Sequence, residues 1–295
     1  MKNYKIAITT GDKLGIGKEI TKKALDYLNI PKEDVLIIGE KIDVDYDFLP
    51  VDIENNGEFC YKSLEAACNL AKNKQIKAIV TSPVSKNELN KSGYNYNGQT
   101  EVIERLLSPN QKRAQMIFIA DDFKVMLLTR HLALKDIRLK TEDVVFQTEI
   151  LNDFLVKKYK ISNPKIALCA LNPHAGENGI LGDEEINILN PAVEILNKKN
   201  IDITYPKSAD ALFAKVGFEY RNNKKLSYDA ILACYHDQGL CPVKALAFDS
   251  AVNTTIGLDI VRTSPPSGTA YDIAGKNIAN PSGMIEAIKL AIKLA

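Results

Sequence analysis

Short apolar runs alternate along the first part of the chain with segments whose apolar residues recur at helical spacing. Lys5–Thr9, Val35–Gly39 and Ile79–Thr81 are predicted strands, and Ile20–Leu28 and Tyr61–Lys74 are predicted helices between them. Strand, helix and strand in this order predict parallel neighbours joined by right-handed crossovers. The first part of the chain therefore has an α/β pattern.

The middle of the chain combines a hairpin with further helices. Gln115–Ala120 and Phe123–Thr129 are predicted to pair as strands around an Asp121-Asp122 turn. The segment Glu142–Tyr159 has an amphipathic pattern, with Thr141 as its expected cap. Later segments add a strand and three helices: Lys165–Leu171, Glu184–Lys199 interrupted near Pro191, a short helix capped by Ser208, and Met284–Leu294 after a Ser282 cap.

One stretch, Tyr228–Arg262, concentrates the side chains suited to chemistry. Its apolar run Ala230–Tyr235 stops directly at His236 and Asp237. Such a run predicts a buried strand that delivers functional groups at its carboxyl end, where open α/β sheets place their sites.

The three histidines share this position. His131, His174 and His236 each lie within a few residues of the end of an apolar strand. Their wide separation excludes a local zinc-finger knuckle, whereas the carboxyl ends of parallel strands meet at one sheet edge. A three-ligand catalytic metal site, or an acid–base site, is the functional hypothesis, and ordinary structural or solvated histidines are the alternative.

Other polar residues suit a small anionic substrate. Lys244 and Arg262 can neutralise phosphate or carboxylate, and Asn253 and Thr100 can bind hydroxyl groups. Asp210 can orient a histidine or accept a proton, although helix capping also explains it. For both cations the competing interpretation is a solvated surface charge.

The segment Gly11–Glu19 follows the first strand and precedes a helix, with glycines at positions 11, 15 and 17. This order suits phosphate binding by backbone N–H groups, but the spacing is GxxxGxG and differs from the dinucleotide fingerprint GxGxxG. A plain tight turn is the other interpretation.

Composition limits the class of protein. The 295 residues suit two α/β lobes, and 38 Lys plus Arg nearly balance 37 Asp plus Glu, which disfavours nucleic acid or an anionic membrane as partner. Five cysteines without CxxC spacing indicate reduced thiols. No apolar run approaches the ~18 residues of a membrane span, so we expect a soluble, cytoplasmic protein that binds a small molecule.

Six motifs stand out along the chain: the opening TTGDKLGIGKE, NPHAGENGILGDEE, SADALF, YHDQGLCPVK, VNTTIGLDIVRTS and GTAYDIAG. Together they resemble the 4-hydroxythreonine-4-phosphate dehydrogenase family of pyridoxal phosphate biosynthesis. The closing GTAYDIAGKNIANP is similar to the adenosine-side loop of isocitrate and isopropylmalate dehydrogenases. The resemblance extends from the first strand to the last helix.

The resemblance implies a fold and an assembly. The expected fold is a two-lobed α/β/α subunit of isocitrate/isopropylmalate dehydrogenase type, with the active site in the interdomain cleft at the interface of a homodimer. Residues 1–98 plus 248–295 would form the cofactor-side lobe, and residues 99–247 the lobe for metal binding and dimerisation.

The resemblance also implies roles for individual residues. A divalent metal (Zn, Co, Mn or Mg) would be held by His131, His174 and His236, one of them donated across the dimer. NAD or NADP would accept the hydride. The remaining assignments are Gln99, Thr100, Lys244, Asn253 and Arg262 for substrate, Asp210 and Lys244 for catalysis, and Gly268, Asp272 and Asn280 for the cofactor.

The implied reaction is oxidation of 4-phosphohydroxy-L-threonine to a 3-keto acid that decarboxylates to 3-amino-2-oxopropyl phosphate. Gln99 departs from the family's usual histidine, and Lys13 and Lys18 stand where prolines are usual. Because glutamine cannot relay a proton near neutral pH, oxidation of D-threonate or D-erythronate 4-phosphate stays open. A metal-dependent phosphoester hydrolase or acyltransferase, and a non-catalytic binding protein, are the alternatives from other classes.

Overall fold

A computed structural model describes residues 2–111 and 113–295 and divides the chain into two compact units. Unit 1 spans Met1–Ala114 and Val252–Ala295, and unit 2 spans Gln115–Ala251. The strands of the described residues are β1 (Ile6–Thr9), β2 (Val35–Gly39), β3 (Asp47–Pro50), β4 (Ala78–Thr81), β5 (Gln115–Ala120), β6 (Phe123–Leu127), β7 (Ile166–Leu168), β8 (Ala230–Ala233), β9 (Val252–Ile256) and β10 (Val261–Ser264). Their α-helices are α1 (Gly17–Leu28), α2 (Asn56–Lys72), α3 (Lys86–Lys91), α4 (Gln99–Leu107), α5 (Thr141–Tyr159), α6 (Asn190–Lys198), α7 (Ala209–Arg221), α8 (His236–Ala247) and α9 (Ser282–Leu294).

Unit 1 is built on strands in the order β3-β2-β1-β4-β10-β9. Every neighbouring pair is parallel except β10 and β9, which are antiparallel. The predicted parallel arrangement of the first strands is therefore confirmed. Strand β3 was not predicted, because its sequence DFLP is short and half-exposed and lacks a continuous apolar run.

The core of unit 1 explains where this unit ends along the chain. Val102 and Ile103 of α4 are fully buried in one cluster with Phe59 and Leu64 of α2. Helix α4 packs on unit 1, so residues 99–114 belong to it, although the sequence placed them in the second lobe.

Unit 2 contains strands in the order β5-β6-β8-β7. Strands β5 and β6 form the predicted antiparallel hairpin, while β6, β8 and β7 run parallel. Helix α8 starts immediately beyond β8 and lies close to the sheet at Gly239, where an added Cβ would be 2.5 Å from Leu127 Cδ2. A glycine is required there because any side chain would push the helix away from the strands. The second unit ends at Ala251, slightly later than the predicted residue 247.

Helix boundaries differ from the sequence predictions where side chains bond elsewhere. Thr141 is the first residue of α5, and its hydroxyl donates to Ile188 O at 3.2 Å instead of capping the helix. Ser208 stands at the start of α7 but bonds the Asp210 carboxylate. Helix α9 begins at Ser282, whose N–H donates to Asn280 Oδ1 at 2.9 Å.

The expected break near Pro191 takes the form of a wide turn. Glu185–Leu189 is a π-helix turn that continues into α6, with Asn190 N–H donating to Glu185 O. Proline has no N–H and its ring crowds the preceding helical turn, so the local widening accommodates Pro191 without ending the helix.

All five cysteines are free thiols, and only Cys241 is exposed. Among residues 2–111 and 113–295, no helix combines the length and apolar character needed to cross a membrane. The cytoplasmic location expected from the sequence stays a prediction.

Candidate active site

The carboxyl edge of the unit 2 strands positions the three histidines. Parallel strands β6, β8 and β7 are direct neighbours, and His131, His236 and His174 follow them respectively. The pairing of β6 with β8 continues past the strands, since Leu128 N–H donates to Ala233 O at 2.8 Å. The sequence-based expectation that these histidines follow parallel strands is thereby confirmed.

Two of the imidazoles lie side by side. The ring centroids of His131 and His236 are 5.5 Å apart, with 45° between the ring planes. His236 Nδ1 is 2.7 Å from Asp237 Oδ1. A carboxylate on Nδ1 orients the ring and leaves Nε2 on the opposite side, the arrangement common for metal-binding histidines.

Gln238 fixes the ends of two strands relative to each other. Its Oε1 accepts from Cys234 N–H and its Nε2 donates to Ala170 O, both at 2.7 Å. Thr129 adds a third link, because its hydroxyl donates to Cys234 O at 2.7 Å. These bonds hold the segments that lead to His131, His174 and His236.

His174 lies in an unusual left-handed turn. The segment Pro173–Gly179 is a short helix in which residues 174–178 all have positive φ, from 43° to 75°. His174 is exposed. The hydrogen bond from Ser208 is the largest cause that lowers the pKa of Asp210, followed by the Ala211 N–H, and nearby His174 contributes less. Asp210 is therefore a carboxylate near neutral pH.

Two of the three histidines form part of a donor set for a metal ion. Two neighbouring imidazoles fit a shared divalent ion, because Zn–N bonds of about 2.0–2.1 Å place two ligand rings side by side. Within the described parts of the chain no group of three His, Cys, Asp or Glu side chains is assembled for a metal ion. His131 and His236 thus come together in one chain, and the three-histidine set stays a prediction.

Lys244 lies in α8, half-buried, with its Nζ 5.1 Å from the centroid of the Phe248 ring. Burial lowers the pKa of Lys244 below the ordinary lysine value. A lower pKa increases the fraction of neutral amine at a given pH. The neutral amine is the form that accepts a proton in catalysis.

Unit 1 carries a buried cation on its sheet. Arg262 of β10 is only 4% exposed, and its Nε and Nη2 donate to Thr81 Oγ1 at 2.9 and 2.6 Å. Burial lowers the pKa of Arg262 to about 10, opposed by the charge of Glu101, so the guanidinium stays charged at neutral pH. The hydroxyl that accepts its hydrogen bonds is neutral, so this buried positive charge suits an anionic ligand in addition to the nearby Glu101 carboxylate. The alternative of a solvated surface charge is wrong for Arg262.

Two predicted substrate residues beside this sheet present buried acceptors. Gln99 donates its Nε2 to Ser82 O at 3.1 Å, and its Oε1 is buried without a hydrogen-bond partner. Asn253 Oδ1 in β9 is also buried without a hydrogen-bond partner. Buried polar atoms are almost always hydrogen-bonded in folded proteins, so orphaned acceptors indicate a position where a ligand supplies donors. Thr100 is buried next to Gln99 in α4.

The glycine-rich opening segment is a structural turn. The backbone N–H groups of residues 12–16 all donate within unit 1, to Pro83 O, Asn56 Oδ1, Asp12 Oδ1, Asp12 O and Thr269 O in turn. The glycines are there for close contact, since a Cβ on Gly17 would be 2.2 Å from Thr10 O. The tight-turn interpretation describes this segment.

The predicted cofactor residues Gly268, Asp272 and Asn280 are exposed, and their role stays a prediction. Their segment is bound to the opening turn, because Tyr271 donates its hydroxyl to Asp12 Oδ2 at 2.6 Å. Asp12 is fully buried and also accepts from Asn56 Nδ2 at 2.8 Å. Sequence reasoning missed Asp12, Thr81 and Gln238, although Asp12 and Gln238 lie inside the recognised motifs.

Comparison with known proteins follows the same motifs. The family described as "Pyridoxal phosphate biosynthetic protein PdxA" matches residues 17–291. A 4-hydroxythreonine-4-phosphate dehydrogenase of Sulfurihydrogenibium sp. is 37% identical, with 98% of each chain covered. A Bradyrhizobium diazoefficiens protein, named provisionally as a D-threonate 4-phosphate dehydrogenase, is 35% identical over 100% of this chain and 98% of its own. The chain belongs to the PdxA family.

Solved structures agree on the fold. The crystal structure of 4-hydroxythreonine-4-phosphate dehydrogenase from Klebsiella pneumoniae has a TM-score of 0.86 at 29% identity, with 99% of each chain covered. Isocitrate dehydrogenase from Methylococcus capsulatus has a TM-score of 0.55 at 15% identity, covering 98% of this chain and 85% of its own. The predicted isocitrate/isopropylmalate dehydrogenase-like α/β fold is confirmed. The placement of the active site at a dimer interface stays a prediction.

Proposed function

We propose that the protein is a divalent-metal-dependent, NAD- or NADP-linked dehydrogenase of pyridoxal 5'-phosphate biosynthesis. It oxidises 4-phosphohydroxy-L-threonine at C3, and the resulting 3-keto acid decarboxylates to 3-amino-2-oxopropyl phosphate. Membership of the PdxA family supports this reaction. The observation that carries the proposal is the order of the unit 2 strands, in which three parallel neighbours each lead to a histidine.

His131, His174 and His236 hold the cation in this proposal, with one imidazole donated across a homodimer. A divalent ion held by these residues would supply Lewis-acid chemistry, which would lower the pKa of the substrate hydroxyl and polarise the keto group before decarboxylation. Zinc, cobalt, manganese and magnesium fit imidazole ligands in descending order. The side-by-side rings of His131 and His236 support this assignment.

The side chains of unit 1 bind the substrate. Arg262 neutralises a phosphate or carboxylate, because its charge is buried and its Nε and Nη2 donate to the neutral Thr81 hydroxyl. The buried acceptors of Gln99 and Asn253 receive hydrogen bonds from hydroxyl or amino groups. Thr100 contributes a hydroxyl beside Gln99.

Proton transfer is assigned to Lys244, whose lowered pKa favours the neutral amine. Asp210 keeps its charge and stabilises His174 in the proposed ligand set. Nicotinamide accepts the hydride when the dinucleotide is bound, and Gly268, Asp272 and Asn280 are the proposed contacts for its adenosine side.

A homodimer is part of the proposal. Unit 2 exposes Ile180, Leu181 and Ile186, which are 78%, 43% and 47% exposed. All three lie in the seven positions 180–186, shortly after His174 in the chain. Exposed apolar side chains this close together favour contact with another protein surface. A second copy of the chain, bound there, would remove them from water.

The test is an assay of purified protein with NAD⁺ or NADP⁺, a divalent metal and each phosphorylated acid. NADH or NADPH formation with 4-phosphohydroxy-L-threonine, abolished by a chelator and restored by metal, is the expected result. Phosphate release without reduction of the dinucleotide would instead favour the hydrolase alternative. Binding without turnover would favour a non-catalytic protein.

A second candidate substrate is D-threonate or D-erythronate 4-phosphate. Gln99 in place of the usual histidine, together with the Bradyrhizobium relative, favours it. Comparison of kcat/KM for the amino and hydroxy substrates decides between them. Turnover of threonate phosphate alone would reassign the substrate and keep the chemistry.

A further inference from the structure

The left-handed turn that carries His174 does not arise from its own sequence. Left-handed backbone brings the Cβ of an L-residue too close to the following carbonyl oxygen, and single residues adopt it far more often than runs do. Here five successive residues adopt it; Gly176 does so without steric cost and Asn178 and His174 tolerate it better than most, whereas Ala175 and Glu177 do not favour it. Such a run persists only where the surrounding structure enforces it.

Glu185 is bonded to the residues at the start of this turn. Its side chain is 3% exposed, and Oε1 accepts from the N–H groups of Leu171 and Asn172, both at 2.8 Å. Its Oε2 accepts from Asn172 Nδ2 at 3.0 Å. The carboxylate therefore binds the two residues that lead directly into Pro173 and His174.

The other side of the turn is packed against the same carboxylate. A Cβ on Gly176 would be 2.7 Å from Glu185 Oε2 and 2.8 Å from Gly182 O. A Cβ on Gly182 would be 2.4 Å from Asn172 Nδ2, so the returning chain also lies against this cluster. Leu181 N–H donates to Gly176 O at 3.0 Å and closes the loop.

The π turn explains how Glu185 reaches this position. Glu185 is the first residue of Glu185–Leu189, the widened turn that precedes Pro191. A π turn contains one residue more than an α turn. Side chains before the turn are therefore rotated about the helix axis by about 100°, the angle between neighbouring residues, relative to their direction in a continuous α-helix. The turn therefore aims the carboxylate at Leu171 and Asn172.

We propose that Glu185 is a positioning residue for the metal site, which acts by holding the strained turn that presents the His174 imidazole. The proposal rests on the proposed function, because it requires His174 to be a metal ligand. Glu185 itself touches neither metal nor substrate. Residues that hold a ligand in place typically change metal affinity by about 10–100-fold when they are removed.

The experiment measures Co²⁺ binding to the purified full-length protein by competition and by its visible absorption spectrum, with thermal unfolding of the metal-free protein alongside. Glu185→Ala is expected to weaken Co²⁺ binding about 10–100-fold and to alter the cobalt spectrum. Glu185→Gln keeps an oxygen for both backbone N–H groups and should restore most of the affinity. Glu184→Gln is the matched control. The hydrogen bond that Glu184 accepts from a side chain comes from Asn172 Nδ2, at 2.7 Å.

An unchanged Co²⁺ affinity and spectrum in Glu185→Ala, with a lower melting temperature, would overturn the inference and leave Glu185 a purely structural residue. If Glu185→Ala does not fold, Glu185→Asp and Glu185→Gln decide. The shorter Asp withdraws the carboxylate and should weaken Co²⁺ binding more than Gln, so equal or reversed effects would also overturn it.

His174→Ala separates this inference from the function on which it rests. Unchanged Co²⁺ affinity in His174→Ala would remove His174 from the ligand set, and the proposed metal site would fail with it. Weakened binding in His174→Ala together with normal binding in all Glu185 variants would leave the metal site in place and reject only the role of Glu185.

Discussion

The opening turn of unit 1 and the left-handed turn of unit 2 both follow a parallel strand and both contain several glycines. In the opening turn, glycines permit close packing, and the N–H groups of residues 12–16 donate to partners within the unit. In the left-handed turn, non-glycine residues take strained backbone conformations and expose His174. Glycine content therefore does not distinguish the two turns, whereas the strained backbone does, and it marks the left-handed turn as the one we propose to be functional.

The largest expected effect concerns the histidine edge of unit 2. His236→Ala should lower kcat/KM by about a thousandfold or more, because a metal ion contributes several kcal/mol to charge stabilisation. Leu14→Ala in the opening turn, where Leu14 is 64% exposed, is the matched control and should keep its activity. Steady-state kinetics with saturating metal measures both, and a loss in Leu14→Ala comparable to that in His236→Ala would erase the contrast between the histidine edge of unit 2 and the opening turn of unit 1.

A pH profile tests the proton acceptor. Burial lowers the pKa of Lys244, and the amine must be neutral to accept a proton, so kcat/KM should rise with pH through that lowered pKa and fall below it. Lys244→Met should lower activity about 10²–10⁴-fold and remove this limb. Because the pKa of Asp210 is lowered, chiefly by the hydrogen bond from Ser208, an acidic limb below the ordinary aspartate range that disappears in Asp210→Asn would assign the base to Asp210 instead.

Gly17→Ala tests the close packing of the opening turn. The added Cβ would be 2.2 Å from Thr10 O, which is overpacking, and we expect a loss of about 1–3 kcal/mol in the free energy of unfolding. Gly268→Ala is the control, because a Cβ there has no neighbour within 4 Å. Chemical denaturation of both variants gives the comparison, and equal stabilities would contradict the packing argument.

Ala175→Gly tests the strain in the left-handed turn. Glycine adopts positive φ without a steric penalty, so the variant should be more stable by about 1 kcal/mol. Ala214→Gly, an exposed position in the right-handed helix α7, should be less stable by about 1 kcal/mol. Opposite signs in thermal unfolding would establish the strain, and a loss in both would argue against it.

Tyr271→Phe makes the smallest change. It removes the hydroxyl that donates to buried Asp12 Oδ2 and should cost about 0.5–1.5 kcal/mol of stability. Tyr27→Phe, whose tyrosine is 70% exposed in α1, is the control and should be neutral. Tyr271→Phe also shows whether the segment with the proposed cofactor residues depends on the opening turn. If it does, the KM for the dinucleotide should rise. A KM equal to that of the wild type would limit the bond to stability.

Local patterns predicted much of this fold. The β5–β6 hairpin follows from two apolar runs around Asp121-Asp122, and the parallel strands of unit 1 follow from the strand and helix order. The boundary of unit 1 could not be predicted in this way. Helix α4 belongs to it because Val102 and Ile103 pack against α2, a contact between distant segments.

The candidate site, like the fold, was only partly predictable from local sequence patterns. The position of each histidine after a strand is readable from the sequence, because an apolar run ends before it. The burial of Arg262 and the orphaned acceptors of Gln99 and Asn253 depend on the assembled sheet. The backbone of residues 174–178 depends on Glu185, which no local pattern connects to His174.

The π turn at Glu185–Leu189 makes the number of residues in this segment as important as their identity. Deleting one residue between Ile186 and Leu189 would convert the wide turn into ordinary α-helix and swing Glu185 about 100° around the helix axis. A related sequence with a one-position gap here would therefore have lost the support of its histidine turn, even if every motif letter were retained.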